Sequence, residues 1–412
     1  MHPTTGWQTI ALDDCFWFQE GPGVRKWQFM NSGIKLLNVA NIEKDGKLNL
    51  AKTDRHLSVD EVEAKYKHFL LDVGDLVIAS SGISFDQDNL LKTRGAFVEK
   101  AHLPLCLNTS TIRFKAKDNI SDLKFLKHWI DSREFREQIT KRVTGSAQQN
   151  FGPSHLKELR ISLPLLNEQR RIAAILDQAD ALRAKRREAL AQLDELQQAI
   201  FMEMFGDPVG NPKKWSESYA LGDVADIVSG VTKGRNLNGK NTRIVPYLAV
   251  ANVQDKALNL SAIKEIEVTD DEIQRYLLKK DDLLLTEGGD PDKLGRGTIW
   301  NNELPECIHQ NHIFRVRLKT ENIEPLFLNW LVGSQRGKNY FLRSAKQTTG
   351  IASINMTQLR GFPLLIPPLK LQQEFAETLR NIEKQKNIQH QAQIKLEDLF
   401  SSLQYSAFRG EL

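Results

Sequence analysis

The sequence contains few cysteines and no long apolar run. Its three cysteines, Cys15, Cys106 and Cys307, lie far apart, which excludes a disulfide framework and leaves no zinc-ligand spacing. No stretch approaches the roughly 18 uncharged apolar residues that a transmembrane helix needs. The first residues also lack the basic and apolar segments of a signal peptide. We therefore expect a cytoplasmic protein that has no contact with a membrane.

A strong charge of either sign is also missing. The 412 residues include 56 Lys and Arg and 52 Asp and Glu, for a net charge of +4, and 41% of residues are hydrophobic. This balance is typical of a globular protein, and it permits an anionic partner without requiring one. The length is sufficient for two or three domains with hydrophobic cores.

Residues 167–203 form a long charged stretch whose apolar residues recur three and four positions apart. Asn167 can cap the start of a helix, and Gly206 and Pro208 can end it. The spacing predicts a helix with a heptad seam. The predicted seam residues are Ile172, Ile175, Ala179, Leu182, Leu193, Leu196 and Ile200.

A second stretch near the C-terminus repeats this pattern about 203 residues later. The preceding segments, "LPLLNEQRRIA" (163–173) and "IPPLKLQQEFA" (366–376), also correspond, and each seam has a polar residue in its central heptad, Arg186 and Gln389. These shared features favour a repeat over two unrelated amphipathic helices. The predicted seam residues of this second helix are Phe375, Ile382, Leu396, Leu399 and Leu403.

The segments between the helices repeat as well. β-type runs and Gly-rich turns occur in the same order in both halves, which predicts an internal duplication of about 205 residues with mixed α+β domains. The pairs that carry the repeat are "KLLNVANI" (35–42) with "PYLAVANV" (246–253), "VGDLVIASSG" (73–82) with "KDDLLLTEGG" (280–289), "FLKHWIDS" (125–132) with "FLNWLVGS" (327–334), and "VTGSAQQN" (143–150) with "TTGIASIN" (348–355).

A duplicated chain can fold with a pseudo-twofold axis, which predicts that the two helices pair as an antiparallel coiled coil. The first helix is basic early and acidic late, opposing its own dipole, and an antiparallel partner explains that order. The acidic end of the first helix would then face Arg380, Lys384 and Lys386 of the second, and the basic part would approach Glu397 and Asp398. The predicted segments are globular domains at 1–165 and 208–366 and helical spacers at 166–207 and 367–412.

The ordered set of segments "WFQEGPGVRKWQF", "GIKLLNVANI", "GDLVIASSG" with "DDLLLTEGG", the two helix junctions and the terminal "SAFRGEL" resembles the specificity subunit of a type I restriction–modification enzyme. The resemblance covers nearly the whole chain. It implies two target recognition domains separated by two central helical regions. The second copy departs from the family pattern, because it lacks the "EGPGVRKW" block and has "LQQE" where the first junction has "NEQRR".

The resemblance implies a non-catalytic subunit that recognises a split target in double-stranded DNA. It implies assembly with modification subunits, which use S-adenosylmethionine to methylate adenine, and with restriction subunits, which use ATP and Mg²⁺ to translocate and cleave DNA. No cofactor is expected on this chain itself. Two alternatives stay open: a coiled-coil adaptor whose two domains bind proteins without DNA specificity, and a self-contained nuclease.

Motifs for catalysis or metal binding are weak or missing. The sequence has no G-x-x-x-x-G-K-[ST] phosphate loop and no [DN]-P-P-[YF] methyltransferase motif. "GGDPDKLGR" (288–296) resembles a nuclease motif superficially, but its counterpart "SFDQDNLLK" does not preserve the pattern. "CIHQNH" (307–312) places one cysteine near two histidines, but its counterpart "CLNTST" has no histidine. Neither a catalytic residue nor a metal site is predicted.

Two pairs of loops offer the side chains that DNA contact requires. Base edges are read mainly by Arg, Lys, Asn and Gln, and phosphates are also bound by Ser and Thr. The alternative is that these are solvated turns in which the repeated Asn residues cap local backbone. The predicted DNA-binding residues are Ser80, Ser81, Lys92, Arg94, Gln148, Gln149 and Asn150 in the first copy and Lys293, Arg296, Gln347, Ser353 and Asn355 in the second.

The predicted helices are long enough to act as a spacer, since about 35 residues at about 1.5 Å each span about 50 Å. Inserting or deleting one heptad should therefore change the length of the unread gap in the DNA target and leave the bases read unchanged. Methylation mapping of the assembled complex measures both quantities. A change in the bases read at a constant gap would contradict the spacer role.

Overall fold

The computed structural model describes residues 6–143, 150–289, 294–348 and 351–412. The chain divides into two compact units, of which the first comprises Met1–Arg187 with Gln391–Leu412 and the second comprises Glu188–His390. Each unit contains one globular domain and part of each of two long helices. The units therefore cut across the helical segments that the sequence predicts as separate spacers.

The globular domain of the first unit is built from short strands and short helices. Its strands are β1 Gln8–Ala11, β2 Phe16–Glu20, β3 Ile34–Leu36, β4 His56–Leu57, β5 Leu76–Ala79, β6 Gly95–Phe97, β7 Leu105–Cys106, β8 Thr111–Ala116 and β9 Arg160–Leu163. Its helices are α1 Leu12–Cys15, α2 Val59–Glu61, α3 Leu123–Ile130, α4 Arg133–Thr140 and α5 Pro153–Lys157, and α6, Leu166–Phe205, follows. Capping side chains start three of these helices: Ser58 accepts the N–H of Glu61, Asp122 accepts those of Lys124 and Phe125, and Ser132 accepts that of Phe135.

The globular domain of the second unit repeats this series with additions. Its strands are β10 Ala225–Ser229, β11 Arg243–Leu248, β12 Val253–Gln254, β13 Ala257–Leu258, β14 Lys264–Val268, β15 Leu283–Thr286, β16 Gly288–Gly289, β17 Gly297–Ile299, β18 Ile308–His309, β19 Ile313–Leu318, β20 Lys346–Thr348 and β21 Ile351–Ser353. Its helices are α7 Leu221–Val224, α8 Asp270–Tyr276, α9 Pro325–Val332, α10 Gln335–Ser344 and α11 Met356–Arg360, and α12, Leu369–Phe408, follows.

Two sheets have the same topology in both domains. A four-stranded antiparallel sheet has the order β2–β8–β5–β6 in the first unit and β10–β19–β15–β17 in the second. A three-stranded sheet has the order β4–β3–β7 in one and β14–β11–β18 in the other, each with one antiparallel and one parallel pair. The strands β5 and β15 are buried along their whole length, as central strands are. The predicted mixed α+β fold with an internal duplication is confirmed.

The two 40-residue helices α6 and α12 run antiparallel within each unit. In the first unit, Arg183 Nε donates to a carboxylate oxygen of Glu397 at 2.7 Å. In the second unit, Lys386 Nζ lies 2.7 Å from a carboxylate oxygen of Asp194, and the rings of Phe201 and Phe375 are 5.6 Å apart. These contacts confirm the antiparallel pairing and the charge order that predicted it.

The seam between the helices differs from the predicted one at three positions. Leu182, Leu196 and Leu399 are 59%, 45% and 64% exposed, so these leucines lie on outer faces of the helices. Arg183 takes the inward position next to Leu182, because its guanidinium lies 4.0 Å from the ring centre of Phe400 and pairs with a carboxylate. The other predicted seam residues are buried or half-buried: Ile172, Ile175, Ala179, Leu193, Ile200, Phe375, Ile382, Leu396 and Leu403.

A fully buried glutamine in the first turn of α6 anchors this helix to its domain. Gln169 Oε1 accepts the backbone N–H of Asp122, the N-cap residue of α3, at 2.9 Å. Its Nε2 donates to the carbonyls of Ile120 and Pro164 at 2.9 and 2.8 Å. Two of these hydrogen bonds therefore join the start of α6 to the loop before α3, and the third holds the segment that leads into α6.

Gln372 forms the same anchor in the second unit. Its Oε1 accepts the N–H of Glu324, the N-cap residue of α9, at 3.0 Å. Its Nε2 donates to the carbonyls of Asn322 and Pro367 at 3.3 and 2.7 Å. Both glutamines lie at matching positions of the helix junctions in the repeat, so the polar residue is part of the duplicated structure.

The far end of the other helix completes the core of each unit. In the first unit, Phe408 of α12 packs edge-on against Phe125 of α3, with ring centres 5.2 Å apart. In the second unit, Phe205 of α6 packs against Phe327 of α9 at 4.7 Å. Each globular domain thus holds the start of the helix that follows it and the end of the other helix.

Replacing Gln169 by alanine should lower the free energy of unfolding by about 1–3 kcal/mol or more, because buried backbone groups lose their partners. Chemical denaturation of the purified chain measures the change. The matched control is Gln178→Ala in the same helix, where the side chain is exposed and the effect should stay within about 0.5 kcal/mol. Equal effects of the two substitutions would contradict the anchoring role.

Candidate nucleic-acid interface

In the first unit, the predicted DNA-binding loops meet where β5 ends. The N–H of Phe151 donates to the carbonyl of Ser80 at 3.0 Å, and the N–H of Ala79 donates to that of Arg94 at 2.9 Å. Asn150, Ser80 and Arg94 therefore come together at one sheet edge, which we call the first edge. Its outer side chains are those of the exposed residues Lys92 and Asn150 and the half-buried Ser81 and Arg94.

The corresponding place in the second unit lies where β15 ends. Ile354 donates its N–H to the carbonyl of Glu287 at 2.9 Å, as Phe151 does to Ser80, and the N–H of Thr286 donates to the carbonyl of Arg296 at 3.1 Å. Strand β16 pairs with β21, which sets Ser353 opposite Gly288. Glu287, Arg296 and Ser353 thus form the second edge.

The hydrogen bonds correct the alignment of the two edges. Asn150 precedes Phe151 as Ser353 precedes Ile354, so Asn150 corresponds to Ser353 and not to Asn355. Asn355 is instead the N-cap residue of α11, and its Oδ1 accepts the N–H of Gln358 at 2.9 Å. The alternative that a repeated asparagine caps local backbone is therefore confirmed at Asn355.

Ser80 is also accounted for by the fold. Its side chain is 1% exposed, and its N–H donates to the carbonyl of Ser110 at 3.0 Å. A buried hydroxyl is poorly placed to reach a phosphate or a base edge, and DNA contact by Ser80 stays a prediction. Gln148, Gln149 and Lys293 lie outside the described residues, and Gln347 is placed in β20, where it pairs with Ala352 of β21.

The cationic side chains at the edges have few partners. Within the described residues, Lys92 and Arg94 make no side-chain hydrogen bond or ion pair, and Arg296 makes one long contact, 3.4 Å from Nη1 to Oε1 of Gln254. Such cations are available to an anionic ligand.

A carboxylate is also present at each edge. In the first unit Glu20 lies near Gly152, and burial raises the pKa of its carboxyl group. In the second unit a carboxylate oxygen of Glu287 lies 2.6 Å from Nδ1 of His312.

The cysteine and the two histidines of "CIHQNH" (307–312) have different surroundings and do not form a common site. Burial raises the pKa of Cys307 to about 12 and lowers that of His309 to about 3, and His309 Nδ1 lies 3.0 Å from the carbonyl of Ile313. Across the described ranges, no group of three or more His, Cys, Asp or Glu residues is arranged to hold a metal ion. In the same ranges, no helix is long and apolar enough to cross a membrane.

Two glycines that the repeat comparison did not match mark where the domains diverge. Gly21 follows β2 and packs on the backbone of Asn108, and Gly230 follows β10 and packs on the backbone of His309. A Cβ at either position would collide with that backbone, so only glycine fits. The following loops have different sequences, "PGVRKWQFM" (22–30) and "VTKGRNLNGKNT" (231–242). In the sequence, this correspondence is visible only as a glycine directly after β2 and another directly after β10.

These features define a duplicated protein with two equivalent α+β domains that have different side chains at equivalent edges, each packed on two antiparallel helices. Residues 5–193 and 212–398 match the family described as the type I restriction modification DNA specificity domain. The chain belongs to this family and contains its domain twice.

Individual relatives agree with this assignment. The chain is 26% identical over 307 residues to the type I restriction enzyme StySPI specificity subunit of Salmonella potsdam and 26% identical over 310 residues to the EcoKI specificity subunit of Escherichia coli (strain K12). Each match covers 70% of this chain and 65% of the relative, so the match spans just under two thirds of their length. The crystal structure of a type I restriction-modification S subunit from M. genitalium superposes with a TM-score of 0.55 at 17% identity, over 99% of this chain and 97% of that one, which shows a shared fold.

Replacing Asn355 by alanine should lower the free energy of unfolding by about 1 kcal/mol, because α11 loses its N-cap. Asn355→Asp keeps the acceptor oxygen and should leave the stability nearly unchanged. Thermal unfolding of both variants measures the difference, and their DNA specificity should match that of the unsubstituted protein. An altered target sequence with unchanged stability would show that Asn355 is a contact and not a cap.

Proposed function

We propose that this chain is the non-catalytic DNA-recognition subunit of a type I restriction–modification complex. In this proposal, it reads a bipartite target in double-stranded DNA, and each globular domain reads one half-site. The observation that carries the proposal is the duplicated fold, in which two copies of a DNA specificity domain present equivalent edges with different side chains.

The two edges differ in the polar side chains that would contact bases, as two domains with different target sequences should. The four-stranded sheet and the hydrogen bonds that hold the loops are the same in both units, while Asn150 stands in one where Ser353 stands in the other, and the half-buried Glu287 takes the place of the buried Ser80. A shared scaffold with altered polar side chains would position the two domains alike and give them different base preferences. The proposed target is therefore asymmetric, with two non-identical half-sites and an unread gap between them.

The unpaired cations supply the affinity in this account. Lys92 and Arg94 in the first unit and Arg296 in the second would neutralise phosphates near the bases that are read. Binding of the assembled complex should accordingly be in the nanomolar range and should weaken steeply with rising salt.

Methyl transfer and cleavage belong to partner subunits in this proposal. Modification subunits would bind S-adenosylmethionine, and restriction subunits would bind ATP and Mg²⁺, while this chain would recognise the DNA target. The assembly would act in the cytoplasm, where the DNA is.

The outer helix faces support assembly with other proteins. Leu182, Ile394, Leu399 and Tyr405 of the first unit are more than half exposed, as is Ile388 of the second. Large apolar side chains at such exposure favour a protein contact. This observation also supports the alternative function, a coiled-coil adaptor with two protein-binding domains, and we propose that in the main function these faces bind the modification subunits.

Replacing residues 1–165 by the corresponding domain of another specificity subunit should change one half-site of the target and leave the other half-site unchanged. Methylation mapping of DNA modified by the assembled complex reads both half-sites. A change in both half-sites would contradict the proposal. Normal complex formation without any sequence preference would favour the adaptor.

A further inference from the structure

The turn that follows β2 in the first unit exposes a tryptophan to solvent. Of the seven tryptophans in the chain, Trp27 is the most exposed, at 79% of its surface. It occupies a single 3-10 turn, Lys26–Gln28. A large aromatic side chain in this position contributes almost no burial to the fold, so its ring is free to contact another molecule.

The turn holds this side chain in a fixed place. Gln28 is buried, and its Oε1 accepts the N–H of Arg25 at 2.8 Å. Its Nε2 donates to a carboxylate oxygen of Glu61 at 2.7 Å and to the hydroxyl of Tyr66 at 3.1 Å. Trp27 is therefore presented by a backbone that is already ordered, which lowers the entropic cost of a contact through its ring.

The neighbours of Trp27 favour an anionic partner. Arg25 and Lys26 are both exposed, and within the described residues neither side chain makes a hydrogen bond or an ion pair. Two unpaired cations beside an aromatic ring form the combination that binds nucleic acid, in which the cations contact phosphates and the ring contacts bases. A purely apolar protein contact would not require the cations.

The base of the turn is joined to the first edge. Gly21 donates its N–H to the carbonyl of Thr111 at 3.3 Å, and Thr109 donates to that of Pro22 at 3.2 Å. The next residue, Ser110, accepts from the N–H of Ser80 at 3.0 Å. A short series of backbone hydrogen bonds thus connects the turn with the edge that carries Arg94 and Asn150.

The second unit has no counterpart of Trp27. Its loop also begins at a glycine that packs on the neighbouring strand, Gly230, but its sequence is "VTKGRNLNGKNT". There Arg235 Nε donates to a carboxylate oxygen of Glu272 at 2.5 Å and its Nη2 to the carbonyl of Glu267 at 2.7 Å, so this cation holds the loop onto the domain. Within the described residues, a turn that exposes a tryptophan after this strand occurs in the first unit alone, as a determinant of one half-site should.

We propose that the turn Arg25–Gln28 is a specificity determinant of the half-site that the first unit reads. Arg25 and Lys26 bind phosphates, and Trp27 places its ring against a base step of that half-site. A step that unstacks easily accepts such a ring at lower cost, so the contact favours flexible steps. This inference rests on the proposed function and assigns part of it to named residues.

The test uses the full-length chain assembled with its modification subunits and a labelled duplex that carries the mapped target. Trp27→Ala should weaken binding by about 5- to 150-fold, the range of one aromatic–base contact. Trp27→Phe should restore most of the affinity. The matched control is Tyr219→Ala, which removes a 51% exposed aromatic side chain from the second unit and should leave binding unchanged.

Methylation mapping of the Trp27→Ala complex provides a second readout. Sequence discrimination should relax in the half-site of the first unit and stay intact in the other half-site. The inference would be overturned, and the proposed function would stand, if the unsubstituted complex is sequence-specific and the Trp27→Ala and Tyr219→Ala complexes bind DNA with equal affinity. Impaired assembly with normal DNA affinity per assembled complex would overturn it in favour of a protein contact. An unsubstituted complex without sequence preference would overturn the proposed function and this inference together.

Discussion

Two buried glutamines join the long helices to the globular domains, and the rest of the structure depends on that joint. Gln169 and Gln372 each hold three backbone groups, including the N-cap N–H of a helix in the preceding domain, α3 or α9. Apolar contacts such as that of Phe125 with Phe408 supply burial, but a buried amide also sets direction, because its donors and acceptors must meet fixed partners. Each domain is therefore oriented in the same way on the helix that follows it.

The duplicated scaffold separates what is kept from what varies. The sheet order, the packed glycines and the backbone bonds at the edges recur in both units. The side chains that these bonds present do not recur: Asn150 is replaced by Ser353, and the turn with Trp27 is replaced by a loop held down by Arg235. A fold of this kind can change the side chains it presents without changing its core, since the variable side chains lie on loops that a rigid scaffold positions.

Much of the architecture could be predicted because the same sequence pattern occurs in both halves of the chain. The repeat predicted the duplication and the α+β class, and the charge order predicted that the acidic end of α6 faces basic residues of α12, as Asp194 and Lys386 do. Other features needed backbone geometry. The heptad pattern considers apolar residues only, so it predicted Leu182 in the seam. In the structure the neighbouring Arg183 takes that place, where it contacts Phe400 and Glu397. A strand end does not reveal from sequence that Ser80 points inward, and Trp27 carries no sign of its exposure in composition or spacing.

The central claim is that two equivalent domains read two separate sequences. Mapping the methylated positions produced by the assembled, unsubstituted complex tests this claim most directly. The account predicts a target with two specified blocks, different from each other and separated by a gap of fixed length in which any base is accepted. A single continuous block of specified bases would contradict it.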